Sequence, residues 1–163
     1  MNLSDAQSLQ LGVLAAILLS FLLGGLIGYE REVANKPAGL RTHMLVAAAA
    51  TLLVRLGSIV VNQFEQLNLG PNLVRTDPIR IIEAIISGVA FLGAGTIIRR
   101  GRDIEGLTTA ASILFTAAVG VAVALSQFII AIGSTLLALA TLRFIHVLED
   151  RLRHGTTILD EEE

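Results

Sequence analysis

Two carboxylates at the start of the third apolar stretch are the residues best suited to chemistry in this chain. Asp77 precedes that stretch, and Glu83 lies about one helical turn inside it, with Ser87 four residues further on. A carboxylate inside an apolar helix is costly and normally faces a partner, so Glu83 predicts either a structural ion pair or an ion site. Arg55 and Arg80 are the candidate partners, and with Glu83 and Ser87 they form a predicted intramembrane polar network.

Asp77 and Glu83 are also the candidate metal ligands, with Mg²⁺ as the cation considered. Mg²⁺ binds carboxylate oxygens but takes several ligands and keeps its waters, so one chain offers few ligands unless an oligomer gathers more. Two structural alternatives stand beside this interpretation. Asp77 with Pro78 has the pattern of an N-cap followed by proline at the first helical position. Arg55 could extend to the membrane surface on its own.

A second polar cluster is predicted at the cytoplasmic face. Its members are Glu30, Arg31, Arg41, Thr42, His43, Arg99, Thr108 and Thr109. Thr42 is the predicted N-cap of the second helix, and Thr108 or Thr109 that of the fourth. Helix N-termini beside arginines could hold an anion or a lipid head group. The arginines are equally explained as determinants of membrane orientation, and the lone His43 is not expected to bind a metal.

Catalysis is not predicted. The chain has no cysteine, and it shows no nucleophile–base pair, glycine-rich phosphate loop or metal-ligand spacing. No catalytic residue and no bound organic cofactor are therefore expected. Nucleic-acid binding is not expected either, because no basic stripe is interleaved with aromatic residues.

The composition places these residues in a bilayer. Of the 163 residues 53% are hydrophobic and only 16% are charged, whereas a soluble domain carries about 25% charged residues. Stretches long enough to span a bilayer, which needs roughly 20 residues, predict an all-α bundle of five transmembrane helices. The predicted spans are 9–28, 44–61, 79–98, 107–125 and 127–145, followed by a short cytoplasmic tail at 146–163. The boundary at Ser126-Gln127 divides one long uncharged run, so four spans with a re-entrant segment are the main alternative.

The basic residues predict the orientation, because Lys and Arg collect on the cytoplasmic side. Arg and Lys residues follow span one, span three and span five, whereas the N-terminus has none and the loop after span two has only Arg75. These three segments share a side only if the number of spans is odd. We therefore expect the N-terminus outside and the C-terminus in the cytoplasm. The first span is expected to be retained rather than cleaved, because no basic residue precedes it.

Small residues repeat along three spans and predict helix contacts, since helices in lipid associate through close backbone packing. The predicted packing residues are Gly12, Ala16, Ser20, Gly24 and Gly28 in span one, Gly88 and Gly95 near span three, and Ser112, Thr116 and Gly120 in span four. Packing within one bundle is the simpler explanation. A homo-oligomer, most simply a dimer, is the alternative, and one seam could serve each purpose.

Several segments closely resemble the MgtC/SapB family of bacterial inner-membrane proteins. They are GYERE at 28–32, KPAGLRTH at 36–43, Asp77 with Arg80, SGVAFLGAGTI at 87–97 and GLTTAAS at 106–112. The matches run in order from about residue 24 to residue 120. One departure is that many relatives carry a Trp near Ser112, whereas this chain has Leu114 and no Trp.

The resemblance implies a five-span hydrophobic domain with a cytoplasmic C-terminus in the bacterial inner membrane. It also implies a link to growth in low magnesium and to survival in host cells, through binding and regulation of other membrane proteins, including the ATP synthase. Longer family members carry a cytoplasmic domain that this sequence does not include. Two functions follow as expectations: a non-enzymatic regulator that binds a membrane-protein partner, or a transporter of a cation or small solute with a pathway near Glu83 and Asp77.

Overall fold

Five helices and one short hairpin make up the fold. The structure, a computed structural model, describes residues 3–66 and 78–156. The helices are α1 (Leu3–Val33), α2 (Leu40–Gln66), α3 (Pro78–Ala94), α4 (Leu107–Ala124) and α5 (Phe128–Thr156). The two strands are β1 (Ile98–Arg100) and β2 (Asp103–Glu105). The prediction of an all-helical protein with five helices is confirmed. The cap predicted at Asp77 lies outside the described residues.

On α1 a stripe of small residues is buried in the bundle, whereas a row of leucines faces outward. Its buried face includes Ala16, Ser20, Gly24 and Gly28, whereas Leu14, Leu18, Leu22 and Leu26 on the opposite face are each at least half exposed. A soluble protein does not expose so long an apolar face. A bilayer solvates it, and the small residues let the neighbouring helices approach closely.

The helices α1, α2 and α4 form the tightly packed part of the bundle. A Cβ added at Gly24 would lie 2.6 Å from the His43 carbonyl oxygen, and one added at Gly28 would lie 2.8 Å from Leu40 Cα. At Gly120 an added Cβ would overlap the carbonyl oxygen of Ala47. These three glycines therefore sit where backbones meet, and α2 is held between the other two helices.

A tight turn separates α4 from α5 at the predicted boundary. The helix α4 ends at Ala124, Ser126 has a φ of 60°, and α5 begins at Phe128. The left-handed conformation at Ser126 reverses the chain direction, and the amide of Gln127 donates to the Ala122 carbonyl at 2.9 Å. The long uncharged run is thus two helices. The helix α5 continues to Thr156, well beyond the predicted end of its span.

The helix α3 ends earlier than the sequence predicts and is followed by a hairpin. It stops at Ala94 rather than continuing to Ile98, and Gly95 lies in the turn that closes it. The strands then pair antiparallel, with Arg99 opposite Ile104. Gly106 closes the hairpin with a φ of 91°, and a Cβ there would overlap the Thr96 carbonyl oxygen. Only glycine meets both requirements without strain.

The basic segments meet at one end of the bundle. The His43 ring near the start of α2 contacts Ser112 near the start of α4, and Gly93 near the end of α3 packs against Ala110. The loop at 34–39, the hairpin at 98–105 and the approach of α5 at Leu142 are therefore at the same end. The described basic residues there are Arg31, Lys36, Arg41, Arg99, Arg100, Arg102 and Arg143. We call this the basic end and the opposite one the far end.

Three of the helices are long and apolar enough to cross a bilayer. They cover Gln7–Val33, Leu40–Gln63 and Leu107–Ala124, and a shorter apolar helix covers Phe128–Phe144. This search extends over the described residues only.

Candidate functional site

A buried histidine joins α2 to α4 at the basic end. The His43 side chain is fully buried. Its Nδ1 lies 2.9 Å from the Gly39 carbonyl oxygen, and its Nε2 lies 3.0 Å from the Ser112 hydroxyl. That hydroxyl is 2.8 Å from the Thr109 carbonyl oxygen, to which it can donate. Both ring nitrogens are thus engaged, Nδ1 with the start of its own helix and Nε2 with α4. His43 therefore has a structural role in joining α2 to α4.

An ion pair between sequence neighbours lies beside this histidine. Arg31 at the end of α1 is 3% exposed, and its Nε and Nη2 donate to the two carboxylate oxygens of Glu30 at 2.6 and 3.0 Å. A bidentate pair satisfies a buried guanidinium well. The next residue, Glu32, accepts from the backbone amide of Leu40 at 2.7 Å. Of these charges, the Glu32 carboxylate is the one that fixes the start of α2.

The predicted caps of α2 and α4 are wrong. The helix α2 begins at Leu40, so Thr42 lies within its first turn, and the Glu32 carboxylate accepts the hydrogen bond from the first amide. The helix α4 begins after Gly106, whose left-handed backbone enters the helix with no side-chain cap within the described part. Thr108 and Thr109 are inside that helix. The anion-site hypothesis assumed free amides next to a capping threonine, and neither helix start has that arrangement.

The predicted cytoplasmic cluster divides into two groups in the structure. Glu30, Arg31, His43 and Thr109 are brought together with low exposure. The more exposed group around them consists of Arg41, Arg99 and Thr108, which are exposed, and Thr42, which is half-buried. The exposed arginines are not used by the buried group, and Arg99 Nε donates to the Gly101 carbonyl within its own hairpin at 3.0 Å.

A chain of hydroxyl groups crosses the centre of the bundle. Thr51 on α2 is fully buried, hydrogen-bonds the Ser20 hydroxyl of α1 and donates to the Gly120 carbonyl of α4 at 2.8 Å. Thr116 is also fully buried and donates to the Ser112 carbonyl at 2.8 Å. The sequence predicted Ser20, Thr116 and Gly120 as packing residues and missed Thr51. An interior hydroxyl in an apolar span is the signal that would have found it.

Arg55 lies at the far end and hydrogen-bonds to the α4–α5 turn rather than to α3. Its Nη2 donates to the Ser126 hydroxyl at 3.0 Å, and its side chain lines a cavity of about 440 Å³ with Asp5 and Ser8 of α1. Its Nε is buried without a hydrogen-bond partner among the described residues. Arg55 therefore belongs to the junction of α1, α2 and the α4–α5 turn.

The predicted network of Arg55, Arg80, Glu83 and Ser87 is not assembled in the described structure. On α3 the side that faces the bundle carries Ile81 and Ile85, whereas Arg80, Glu83 and Ser87 are exposed on the other side. The reason is geometric, because positions 81 and 85 are one helical turn apart on one face and position 83 is about 160° away.

A metal site is not assembled by the described residues alone. No group of three or more His, Asp or Glu residues close enough to hold an ion occurs in residues 3–66 and 78–156. Glu83 has no described carboxylate beside it, and Asp77, the other candidate ligand, lies outside the described residues. Metal binding at this pair remains a prediction.

The remaining small residues differ in what surrounds them. Ala16 is buried in the bundle. By contrast, a Cβ added at Gly12, Gly88 or Gly133 would meet no described atom within 4 Å.

Gly88 lies on a flank of α3 that borders α2. Between the two helices runs a groove of about 830 Å³, which we call the α2–α3 groove. Leu53, Gly57 and Val60 line it from α2, and Ala84, Gly88 and Phe91 from α3.

Comparison with known proteins identifies similar sequences over most of the chain. The model of the MgtC family matches residues 17–151. The putative magnesium transporter YhiD of Escherichia coli K12 is 36% identical over 137 residues, which are 83% of this chain and 61% of that protein. Protein MgtC of Salmonella typhimurium is 38% identical over 123 residues, 76% of this chain and 48% of that protein.

A further relative, protein MgtC of Brucella abortus, is 43% identical over 102 residues, 63% of this chain and 38% of that protein. The aligned part of this chain thus spans about half the length of the curated relatives it matches. No solved structure shows significant similarity to it.

Proposed function

Because the chain belongs to the MgtC family, we propose that it is a non-enzymatic inner-membrane protein, linked to magnesium homeostasis, that acts by binding other membrane proteins through its helices. The link to magnesium is supported by the name of the similar YhiD protein. The observation that carries the proposal is the position of α3, which contacts the bundle with one side and leaves the α2–α3 groove open.

The proposed setting is five spans with the N-terminus outside and the basic end in the cytoplasm. Support comes from the two ends of the bundle. Seven described basic side chains lie at the basic end, whereas Arg55 and Arg80 are the described ones at the far end. Lys and Arg collect on the cytoplasmic side, so this asymmetry favours the orientation. The helices α3 and α5 complete the five spans, although α3 has only 17 residues and α5 has an apolar part of similar length.

The occupant that fits the α2–α3 groove is a single apolar helix of another membrane protein. The groove follows α2 from Val46 to Val60, which is about 21 Å of helix. Apart from Arg80 its lining is apolar, and Gly88 and Ala84 remove side-chain bulk so that a backbone can approach. Small residues at a membrane interface are the usual basis of helix association. The groove therefore suits a small-residue face on the partner.

Transport is the second candidate, and two observations favour it: Glu83 lies on a predicted span, and the similar YhiD protein is named a putative magnesium transporter. The interior of the bundle argues against a pathway through one copy. The buried polar groups Ser20, Thr51 and Thr116 are hydrogen-bonded to helix neighbours, and Gly24 and Gly120 sit at closed backbone contacts. A pathway along Glu83 would need protein on the outer side of α3.

The first test places a photoreactive benzophenone amino acid at Gly88 or Phe91 in native membranes of cells grown in low magnesium. Leu137, which is 70% exposed on α5, is the matched control. We expect the same membrane-protein adduct, identified by mass spectrometry, from both groove positions and none from the control. We also expect Ala84→Leu, which fills the groove, to abolish both the adduct and growth in low magnesium. Equal labelling at all three positions, or only lipid adducts, would refute docking in the groove.

The second test measures Mg²⁺ entry into proteoliposomes that contain the purified chain, with Glu83→Gln as the comparison. The proposal predicts no flux above that of protein-free vesicles. Flux that the substitution abolishes would establish the transporter instead.

A further inference from the structure

The outward face of α3 carries a regular set of exposed residues. Arg80, Glu83, Ser87, Ala90 and Ala94 recur at intervals of three and four and are all exposed. We call them the α3 seam. The seam is opposite Ile81 and Ile85, so it is separate from the contacts of α3 within the bundle. It borders the α2–α3 groove at Arg80, which also lines that groove. Alternating steps of three and four form the stripe along which two nearly parallel helices pack.

The seam differs from the outward faces of α1 and α5. The outward face of α1 is a row of leucines, and that of α5 includes Ile129, Leu136 and Leu137, which are 59 to 89% exposed. Large apolar side chains of that kind suit contact with lipid tails. Ser87, Ala90 and Ala94 offer little apolar area to lipid but permit close approach of another helix.

The charges of the seam lie within the depth of the bundle. Ile81 packs against Gly57, and Ile85 clusters with Ala50, so α3 runs antiparallel to α2. Gly57 is six residues from the end of the apolar stretch Leu40–Gln63, and Glu83 lies about 3 Å deeper than Ile81. A carboxylate facing lipid at this depth is unfavourable unless it meets a partner. In the described residues neither Glu83 nor Arg80 has one.

We propose that two copies of this chain pair along the α3 seam, with Arg80 of each copy facing Glu83 of the other. Copies inserted in the same orientation and related by a two-fold axis along the membrane normal pack their α3 helices in parallel. Arg80 and Glu83 are three residues apart, about 4.5 Å along the axis. A two-fold contact therefore forms the same ion pair twice and is self-complementary. A different membrane protein would need a matching pair of opposite charges at the same register.

The absence of cysteine from the sequence allows a direct test by disulfide crosslinking. Ala90→Cys and Ala94→Cys place a thiol on the seam, and Leu137→Cys places one on exposed α5. Each variant is oxidised in native membranes, where the chain keeps its own lipids and partners. We expect a disulfide dimer of twice the chain mass from both seam positions and little from Leu137→Cys. Equal dimer yields at all three, or crosslinks from Ala90→Cys to a different protein only, would overturn the pairing of two copies.

A charge-reversal experiment tests the ion pairs themselves in the Ala90→Cys background. Arg80→Glu makes both charged positions of the seam acidic, and Glu83→Arg makes both basic, so each variant alone should lose about tenfold of its crosslinked dimer, a change equivalent to ~1.4 kcal/mol. Co-expression of the two variants with different tags should restore a mixed dimer, because acidic and basic seams are complementary. Restoration also shows that both chains fold. A mixed dimer no more abundant than either self-dimer would refute the reciprocal pairs.

The pairing of two copies along the α3 seam and the docking of a partner helix in the α2–α3 groove are tested separately. Loss of seam crosslinks with retained adducts at Gly88 would leave partner binding intact, and the reverse result would leave the dimer intact.

Discussion

Replacing Gly120 by alanine tests whether the contact between α2 and α4 holds the bundle together. An added Cβ would overlap the Ala47 carbonyl oxygen and lie 3.0 Å from its carbon. Both are backbone atoms, so no side-chain rotation relieves the clash. The two helices would have to part by about 1 Å to reach ordinary contact distance. That movement would also lengthen the hydrogen bond from Thr51 to the Gly120 carbonyl, now 2.8 Å.

The expected change in the free energy of unfolding combines the clash, the weakened hydrogen bond and the higher helix propensity of alanine. Overpacking a well-packed interior costs about 1–3 kcal/mol, and a hydrogen bond between membrane helices contributes at most about 1.7 kcal/mol. Alanine returns about 1 kcal/mol over glycine within a helix. We therefore expect Gly120→Ala to lower the free energy of unfolding by roughly 2 kcal/mol. In a chain of this size that corresponds to a fall in Tm of about 4–8 °C.

The assay is thermal unfolding of the purified protein in a mild detergent, followed by far-UV circular dichroism. Gly133→Ala is the matched control, because Gly133 is also within a helix but a Cβ there meets no described atom within 4 Å. The control should be unchanged or more stable by up to about 1 kcal/mol. Equal Tm values for the two variants would refute the reasoning that Gly120 is required by a backbone contact.

Two further predictions concern the basic end. Glu32→Ala removes the acceptor of the Leu40 amide and should lower stability by about 1 kcal/mol, whereas Glu32→Asp should recover part of it; no change in Tm would contradict the capping role. Gly106→Ala should destabilise more than Gly101→Ala, because both have positive φ but only Gly106 is also blocked, by the Thr96 carbonyl. The comparison is again by thermal unfolding, and a larger effect at Gly101 would contradict it.

The sequence predicts the number of helices and the position of the turn between the last two. A bilayer imposes a length on each apolar stretch, and the uncharged run from Leu107 to Leu142 is too long for one crossing. Within it Ser126-Gln127 is the most polar dipeptide, and Ser126 is the residue that adopts the left-handed conformation. Length and polarity are local properties, so they can be read without knowledge of the packing.

The direction that α3 faces could not be predicted in the same way. In a soluble helix the apolar side is the buried side, but in a bilayer both sides of a helix are apolar. Ile81 and Ile85 face the bundle, whereas Ile86 is 48% exposed and Ile79 is 62% exposed. Hydrophobicity does not distinguish these isoleucines. The prediction that Glu83 pairs with Arg55 used depth alone and therefore placed Glu83 on the wrong side of α3.

The cap of α2 was missed for a different reason. Local pattern favours a threonine or serine at a helix start, and Thr42 is the nearest such residue. The acceptor is instead Glu32, eight residues earlier, which reaches the Leu40 amide because the loop at 34–39 folds back on α1. Gly39 permits this, since a Cβ there would lie 2.6 Å from the Glu32 carboxylate. Such a contact depends on the tertiary structure, which local spacing does not reveal.

The way the helices are held suggests a division of roles between them. The helices α1, α2 and α4 are tied into one unit by the hydrogen bonds of Thr51 and His43. Close backbone contacts at Gly24, Gly28 and Gly120 also hold them together. From Arg80 to Ala94, by contrast, no described side chain of α3 hydrogen-bonds to another helix, so this part of α3 is attached by apolar packing. In lipid that packing is easily exchanged for packing against another protein. Substitutions that disturb the α1–α2–α4 unit should therefore change stability, whereas substitutions on the α3 seam should change assembly and leave the Tm of the single chain nearly unaltered.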